Sequence, residues 1–234
     1  LLDHVELIIF VSGKGVYLGD PHNHSFESDG RSSFLDNFTQ LAEKGFSFVI
    51  TADHNAVDPW NKATQDAAVA ELKKTFDGEF VALKGSEITT AGNAHVLCYN
   101  HTTNYAALKD SQWIIDEVIN QGGLAFLAHP FIGENYYFNG IEDDQTATDI
   151  YKNFTGVEIY NGETSMVRSQ DGEYNFKNLE FWDRMNLTGQ RKFFGTAGSD
   201  AHDSIIIGTV GNALLADSLS EEDLMKAFAT GEFY

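Results

Sequence analysis

The sequence predicts an α/β fold with a parallel sheet, and two patterns support this prediction. Short apolar runs alternate with stretches of helical periodicity, as expected when helices connect parallel strands. Histidines and carboxylates recur where the apolar runs end. Because the carboxyl ends of parallel strands meet at one edge, these side chains are expected to converge on a single metal site.

The apolar runs and the periodic stretches define the predicted elements. Predicted strands cover residues 5–11, 16–22, 46–51, 80–87, 94–100, 124–128, 157–160, 193–196 and 209–215. Predicted helices cover residues 32–44, 58–76, 110–121, 144–154, 176–187 and 220–229. Ser32 or Ser33 can cap the first helix, Asp58–Pro59 can start the second, and Ser220 followed by Asp223 resembles a capping box. Two stretches, 132–139 and 162–175, are predicted to be loops, and aromatic residues of the first can line a pocket.

The densest group of metal-ligand residue types is the stretch DPHNHSFESDG, residues 20–30. His22 and His24 follow a predicted strand, and residues two apart in an extended segment point to the same side. Asp29 lies five residues further on, in a Ser/Asp/Gly loop that can fold back over the same site. Further ligand-type residues near strand ends are His54, Glu87, His95, His129, Glu158, Asp200 and His202.

The composition limits the classes of partner. The net charge of −20, from 35 acidic and 15 basic residues, repels polyanions and anionic membranes. It argues against long nucleic acid as a partner and is compatible with a small phosphorylated molecule. No apolar run approaches the roughly 20 residues that a membrane-spanning helix needs. A single cysteine, Cys98, excludes a disulfide within the chain.

The predicted compartment rests on weaker signals. The chain begins at Leu1 rather than at Met, which predicts that a leader or upstream segment has been removed. Asn-x-Ser/Thr sequons begin at Asn23, Asn37, Asn100, Asn153 and Asn186. The one at Asn23 lies inside the stretch rich in metal-ligand residues and is interpreted as coincidental, whereas the others hint at a secreted protein. A soluble secreted or periplasmic protein and a cytoplasmic one both stay open, and the oligomeric state is not predicted.

Several motifs together resemble those of the polymerase and histidinol phosphatase (PHP) superfamily. DPHNHSFESDG, ADHN, GSEIT followed by HVL, AHP, GVEIYNG and GSDAH occur in the order of that superfamily, between about Tyr17 and His202. The pattern is most similar to the small metal-dependent phosphoesterases. The resemblance implies one catalytic domain over residues 1–234. It also implies a distorted (β/α)7 barrel, related to the amidohydrolases, with the metal site at the C-terminal mouth of the strands.

The resemblance also implies a ligand set for two to three divalent ions. His22, His24, Glu87 and Asp200 would hold the first ion. Glu87, as a bridge, would hold the second with His95 and His129. Asp29, His54 and His202 would hold the third. These mixed nitrogen and oxygen donors suit zinc, manganese or iron alike.

Residues around the ligands are also assigned. Asp20 and Asp53 are predicted to orient imidazoles, as carboxylates often do behind metal-binding histidines. Glu158 is predicted to be a non-ligand that either supports the ligands or is structural, and His4 and His101, which lie outside the motifs, are predicted to have no role in the site. Ala52 departs from the pattern, since related chains usually have Thr there.

The implied activity is hydrolysis of a phosphomonoester or phosphodiester of a small substrate by attack of a metal-bridging hydroxide. Asp200 or His202 would protonate the leaving group, and Arg31 and Arg168 are candidate phosphate clamps. Two alternatives stay open. One is promiscuous hydrolysis of phosphotriesters or other esters at the same site. The other is a structural metal-binding PHP module without catalysis.

Overall fold

The computed structural model describes residues 13–55, 62–102, 109–131, 151–163, 171–188 and 191–234. Several predictions fall outside this part of the chain. They concern the strand at 5–11, the helix start at Asp58–Pro59, the aromatic residues of 132–139, most of the helix at 144–154, and Arg168.

The described residues form nine strands and five helices. The strands are β1 (Gly15–Asp20), β2 (Phe48–Ile50), β3 (Val81–Leu83), β4 (Gly85–Thr89), β5 (His95–Tyr99), β6 (Leu124–Leu127), β7 (Gly156–Asn161), β8 (Phe194–Gly198) and β9 (Asn212–Ala216). The helices are α1 (Phe34–Glu43), α2 (Lys62–Leu72), α3 (Ser111–Asn120), α4 (Asp171–Leu187) and α5 (Glu221–Thr230).

The strands belong to two sheets, with the orders β3-β2-β1-β9 and β4-β5-β6-β7-β8. Neighbours are parallel from β1 to β3 and from β6 to β8, whereas β9 and the β4-β5-β6 ladder are antiparallel. The prediction of an α/β fold with parallel strands is confirmed. Two isolated bridges, Asn23 to Ala201 and His54 to Glu87, link the sheets beyond their strand ends. Closure into one barrel stays a prediction, because the ladders of the described residues form two separate sheets.

The predicted strand at 80–87 is in fact two strands in different sheets. Val81–Leu83 pairs with β2, and after Lys84 the chain enters β4, which pairs with β5. Gly85 permits this crossing, because a Cβ there would lie 2.2 Å from the side chain of Ile50. Apolar periodicity alone does not reveal such a change of sheet, because both strands are buried.

The core lies between the two sheets, helix α5 packs into it, and the other helices cover the outer faces of the sheets. Phe48 and Ile50 of β2 meet Leu97 and Phe126 of the second sheet in the inner cluster. Val49, which points the opposite way, packs with α1 and α2. Helices α3 and α4 cover the second sheet. This arrangement leaves the ends of the strands open for a site.

Local signals set the helix ends. The Ser33 hydroxyl accepts from the Asp36 amide, and the Asp36 carboxylate accepts from the Ser33 amide, which completes a capping box. Ser220 accepts from the Asp223 amide in the same way, although the Asp223 carboxylate binds Ser218 instead. Helix α4 begins five residues earlier than predicted, within a polar stretch that the sequence assigns to a loop. Within the described residues, no helix has the length and apolar character needed to cross a bilayer.

Candidate metal centre

Most of the predicted ligands lie just beyond strand ends. His22 and His24 follow β1, His54 follows β2, and His129 follows β6. Asp200 and His202 follow β8, while Glu87 lies within β4 and His95 opens β5. The described ligand-type side chains form overlapping sets, and in each set the candidate ligand atoms lie within 4.8 Å of one another.

The inner set comprises His22, His24, Glu87 and Asp200, the four residues predicted for the first ion. All four are buried. Asp200 Oδ1 lies 3.1 Å from His22 Nε2 and 3.0 Å from His24 Nε2. Glu87 Oε2 lies 3.4 Å and 3.3 Å from the same two nitrogens. Two nitrogens and two carboxylates therefore face a common centre.

Glu87 lies between the inner set and the residues predicted for the second ion. Its Oε1 is 2.7 Å from His95 Nδ1 and 2.9 Å from His129 Nε2. Its Oε2 faces His22 and His24, as described above, and is 3.3 Å from His54 Nδ1. The two oxygens thus serve different neighbours, which is the arrangement that a bridging carboxylate requires.

The outer set comprises Asp29, His54 and His202, the residues predicted for the third ion, together with His24. Asp29 Oδ2 lies 3.3 Å from His202 Nε2 and 3.8 Å from His54 Nε2. Asp29 Oδ1 lies 3.6 Å from His24 Nδ1. His24 therefore faces the inner set with one nitrogen and the outer set with the other, a role that the sequence did not predict.

Burial and charge compete at the imidazoles. Burial lowers the pKa of His22, but the charges of Asp200, Glu158 and Glu87 outweigh burial and hold that pKa well above its usual value. Burial likewise opposes protonation of His24, yet hydrogen bonds and charges from Asp200 and Glu87 raise its pKa to about 10. The surrounding carboxylates therefore favour the protonated form of both imidazoles, and a metal ion bound here would compete with protons for the same nitrogens.

The same pairs act on the carboxylates. Burial raises the pKa of Glu87, and the charges of His95, His22 and His54 more than reverse this effect, so its pKa lies well below the usual value. The pKa of Asp200 is lowered in the same way: burial raises it, and the charge of His22 outweighs burial. Both carboxylates are thus ionised at neutral pH.

Two site residues have unusual backbone conformations. His129 has a φ of 25° and Asp200 a φ of 51°, in the left-handed region that residues other than glycine seldom adopt. Such conformations cost about 1–3 kcal/mol each and tend to occur at functional sites. The amide of His129 donates to Glu158 Oε2 at 3.0 Å, and the amide of Asp200 donates to the His22 carbonyl at 2.7 Å. These bonds hold both residues in place.

The two carboxylates predicted to orient imidazoles do something else, so that prediction is corrected. Asp20 Oδ1 accepts from the backbone amides of His22 and Ser199. Asp53 accepts from the amide and the hydroxyl of Ser25. Each carboxylate accepts hydrogen bonds from donors in loops. It therefore positions the backbone near the candidate ligands and does not contact their imidazole rings.

Two other carboxylates contact the ring nitrogen that points away from the inner or outer set, and these are Glu158 and Glu163. Glu158 Oε1 lies 2.7 Å from His22 Nδ1, and Glu163 Oε2 lies 2.8 Å from His202 Nδ1. Glu158 was predicted to be a non-ligand that either supports the ligands or is structural, and Glu163 was missed. The signal for Glu163 was its place, two residues after β7 in an otherwise polar stretch.

The remaining residues singled out from the sequence lie at the edge of the metal-ligand sets or outside them. Arg31 is exposed, and its amide donates to the carbonyl of His202 at 2.8 Å, which places it at the rim of the outer set. His101 is buried against the Ser86 hydroxyl at 2.7 Å, outside the described ligand sets, as its position outside the motifs predicted. Ala52 is buried in the inner core beside β2.

The donor chemistry fits divalent transition metals. His22 Nε2 and His24 Nδ1 are buried and make no hydrogen bond, yet each points towards ligand-type atoms of the inner or the outer set. Buried polar atoms normally have partners, so two such nitrogens in one cluster are well explained as metal ligands. Imidazole with carboxylate suits zinc, manganese or iron.

Known proteins resemble this chain in fold and not in sequence. Neither a known family model nor a curated protein matches the sequence. Several solved structures do match the fold. One is a two-domain protein from Bacteroides vulgatus containing a predicted PHP-like metal-dependent phosphoesterase, with a TM-score of 0.69 and 18% identity over 97% of this chain and 66% of that one.

Two further structures are similar. A candidate metal-dependent phosphoesterase from Bifidobacterium adolescentis has a TM-score of 0.57 and 15% identity, over 79% of this chain and 87% of that one. The lesion-specific endonuclease PfuEndoQ from Pyrococcus furiosus has a TM-score of 0.61 and 17% identity, over 92% of this chain and 56% of that one. The predicted resemblance to the PHP superfamily is therefore confirmed at the level of the fold, which is what such low identities show. The chain spans about two thirds of the Bacteroides protein and about half of the Pyrococcus protein.

Proposed function

We propose that this chain is a metal-dependent phosphoesterase of the PHP type that acts on a phosphomonoester or phosphodiester of a small substrate. The observation that carries the proposal is the position of Glu87. One of its oxygens lies within 3.4 Å of His22 and His24, and the other lies within 2.9 Å of His95 and His129. A buried carboxylate shared in this way is suited to hold two ions close together.

The proposed ligand assignment keeps the sets predicted from the sequence, and the distances given above support it. The inner set would hold one ion, Glu87 with His95 and His129 a second, and Asp29, His54 and His202 a third. Zinc, manganese or iron fits these donors. When bound, such ions activate water for in-line attack on phosphorus and neutralise charge on the phosphoryl oxygens.

Of the two candidate proton donors, His202 is more accessible than Asp200. Asp200 is buried, and its oxygens already face His22, His24 and Asn161. The His202 side chain is 27% exposed and lies on the open side of the site. A leaving group that departs towards solvent would therefore meet His202.

Arg31 is the candidate phosphate clamp within the described residues, and Arg168 stays a candidate from the sequence alone. Replacing Arg31 by Ala should raise KM for a phosphate ester roughly tenfold, because a charge-assisted hydrogen bond contributes about 1.5–3 kcal/mol. The value of kcat should change less, since the metal ligands are untouched. A lower kcat with an unchanged KM would remove Arg31 from substrate binding.

The substrate class rests on the charge of the whole chain. A net charge of −20 opposes the approach of a long polyanion, which favours a small substrate. The structural neighbour PfuEndoQ is an endonuclease, so an oligonucleotide is the natural rival substrate to test. Closure of the sheets into a barrel and the extent of the catalytic domain, residues 1–234, belong to the same proposal.

The activity can be tested with metal-stripped protein to which zinc, manganese or iron is returned. The substrates are p-nitrophenyl phosphate, its bis-ester, a p-nitrophenyl phosphotriester and a single-stranded oligonucleotide. We expect metal-dependent release of p-nitrophenol from the monoester or the bis-ester. Faster turnover of the triester or of the oligonucleotide would favour those substrate classes. Stoichiometric metal with no turnover of any substrate would make the chain a structural metal-binding module.

A further inference from the structure

Strand β7 and the residue pair after it have the sequence GVEIYN-GE, and none of the proposed ligands lies there. Three of its polar side chains nevertheless point at the site. Glu158, Asn161 and Glu163 each contact a different proposed ligand: His22, Asp200 and His202 respectively. This strand is therefore the natural place to look for control of ligand orientation.

Glu158 is fully buried, and both of its carboxylate oxygens have polar neighbours. Its Oε2 accepts from the backbone amide of His129 at 3.0 Å and from Asn161 Nδ2 at 3.2 Å. Its Oε1 lies 2.7 Å from His22 Nδ1. A backbone amide and a side-chain amide nitrogen are donors, so Oε2 must accept from both, and Oε1 is left to face His22.

The contact with Glu158 fixes the hydrogen on the His22 ring. A carboxylate oxygen at 2.7 Å keeps a proton on Nδ1. In the neutral ring the lone pair is then on Nε2, the nitrogen that faces Asp200 and Glu87 at 3.1 and 3.4 Å. Since Nε2 makes no hydrogen bond, it is free to bind an ion.

The other two side chains act in a similar way on other ligands. Asn161 Nδ2 donates to Asp200 Oδ2 at 2.9 Å, which leaves Asp200 Oδ1 facing the imidazoles. Glu163 lies 2.8 Å from His202 Nδ1, so that His202 Nε2 faces Asp29. His202 Nδ1 has a second acceptor, the Asp200 carbonyl at 3.0 Å.

We propose that β7 and the two residues after it position the ligands of this site: Glu158, Asn161 and Glu163 orient one ligand each, and Glu158 alone determines which nitrogen of His22 can bind metal. The inference rests on the proposed function, because it presumes that ions bind the inner and outer sets. It goes beyond that function by assigning roles to three residues outside the ligand set.

Glu158→Gln tests the central claim, because it preserves size and removes one acceptor. The His129 and Asn161 donors hold the remaining amide oxygen, so the new amide nitrogen must face His22 Nδ1. His22 must then carry its proton on Nε2, where an ion should bind. We expect inner-site affinity for Zn²⁺ or Co²⁺ to fall about 10–100-fold, measured by competition with a chelator. The absorption spectrum of the Co²⁺ protein should change as well.

Glu163→Gln provides an internal comparison. His202 Nδ1 keeps the Asp200 carbonyl as an acceptor, so the loss of outer-site affinity should stay below tenfold, less than for Glu158→Gln. Glu180→Gln, at an exposed position of α4, is the matched control for the change of charge and should leave affinity unchanged. Equal losses in both site variants would contradict the assigned role of the second acceptor.

A measurement on the wild-type protein guards against a variant that fails to fold. In the Zn²⁺-loaded protein, ¹⁵N NMR should show His22 protonated at Nδ1. An Nε2-protonated ring, or unchanged affinity in a folded Glu158→Gln protein, would overturn the positioning role. If the wild-type protein itself takes up no Zn²⁺ or Co²⁺, the proposed function fails instead, so the two failures are distinguishable.

Discussion

The inner and outer sets differ in how the protein holds them. The side chains of the inner set, His22, His24, Glu87 and Asp200, are between 0% and 7% exposed. In the outer set, Asp29 is 56% exposed, and His54 and His202 are 23% and 27% exposed. The inner ligands are fixed by surrounding protein, whereas Asp29 extends from a loop at the surface.

This difference suggests a division of labour. Metal binding at the inner set should cost little further conformational entropy, because packing and hydrogen bonds already fix its side chains. The outer ligands are less constrained and accessible, which suits a position where substrate and solvent exchange. His24 joins the two sets through its two ring nitrogens, so the sets are not independent.

The largest effect is expected from His22→Ala, which removes an inner ligand. Metal bound at the inner site and turnover of p-nitrophenyl esters should both fall to background, as measured by elemental analysis and by rate. His101→Ala is the matched control, since it removes another fully buried imidazole that lies outside the ligand sets. It should lower stability and keep the metal. Rates near wild type in His22→Ala would refute the ligand assignment.

A smaller loss is expected from Gly198→Ala, which crowds the inner set without removing a ligand. A Cβ at Gly198 would lie 2.3 Å from the Cβ of His22, so the imidazole must shift. Overpacking of this kind typically costs about 1–3 kcal/mol of stability. Inner-site metal affinity should fall together with the thermal midpoint.

Gly195→Ala is the matched control for crowding in the same strand. Its Cβ would meet the flexible end of Ile159 at 2.9 Å, away from the ligands. Metal affinity in this variant should match the wild type. If Gly198→Ala also keeps its affinity, the inner set is less rigid than the comparison of the two sets implies.

The smallest effect is expected from Asp29→Asn in the outer set. The carboxylate charge is lost at a half-exposed position, so the outer ion should be released at a lower chelator concentration while the inner ions stay. Stepwise chelator titration with elemental analysis measures this order. Release of the inner metal first would reverse the proposed ranking of the two sets.

The sequence predicted much of the site because its signals are local. His22 and His24 are two residues apart in an extended segment, and both do face the inner set. His129 and Asp200 follow apolar runs that are strands, as predicted. The alternation of strands and helices gave the α/β class for the same reason, since periodicity is a property of neighbouring residues.

Other features of the site depend on contacts between residues far apart in the sequence, which no local pattern can predict. His22 and Glu158 are 136 residues apart, so only the folded sheet brings Glu158 behind the imidazole. The sequence assigned that task to Asp20 and Asp53, which instead accept hydrogen bonds from loop donors. The change of sheet at Lys84 was hidden for a similar reason, because strands in either sheet have the same apolar pattern.

The sequence by itself determined which residue types lie at the ends of strands, and therefore that a metal site was to be expected. Only the tertiary structure decided how each side chain is used: which oxygen of Glu87 faces which histidines, and which ring nitrogen of His24 faces which set. The physical reason is that residue type and periodicity are encoded locally. The direction of a buried side chain is set by neighbours that come from distant parts of the chain.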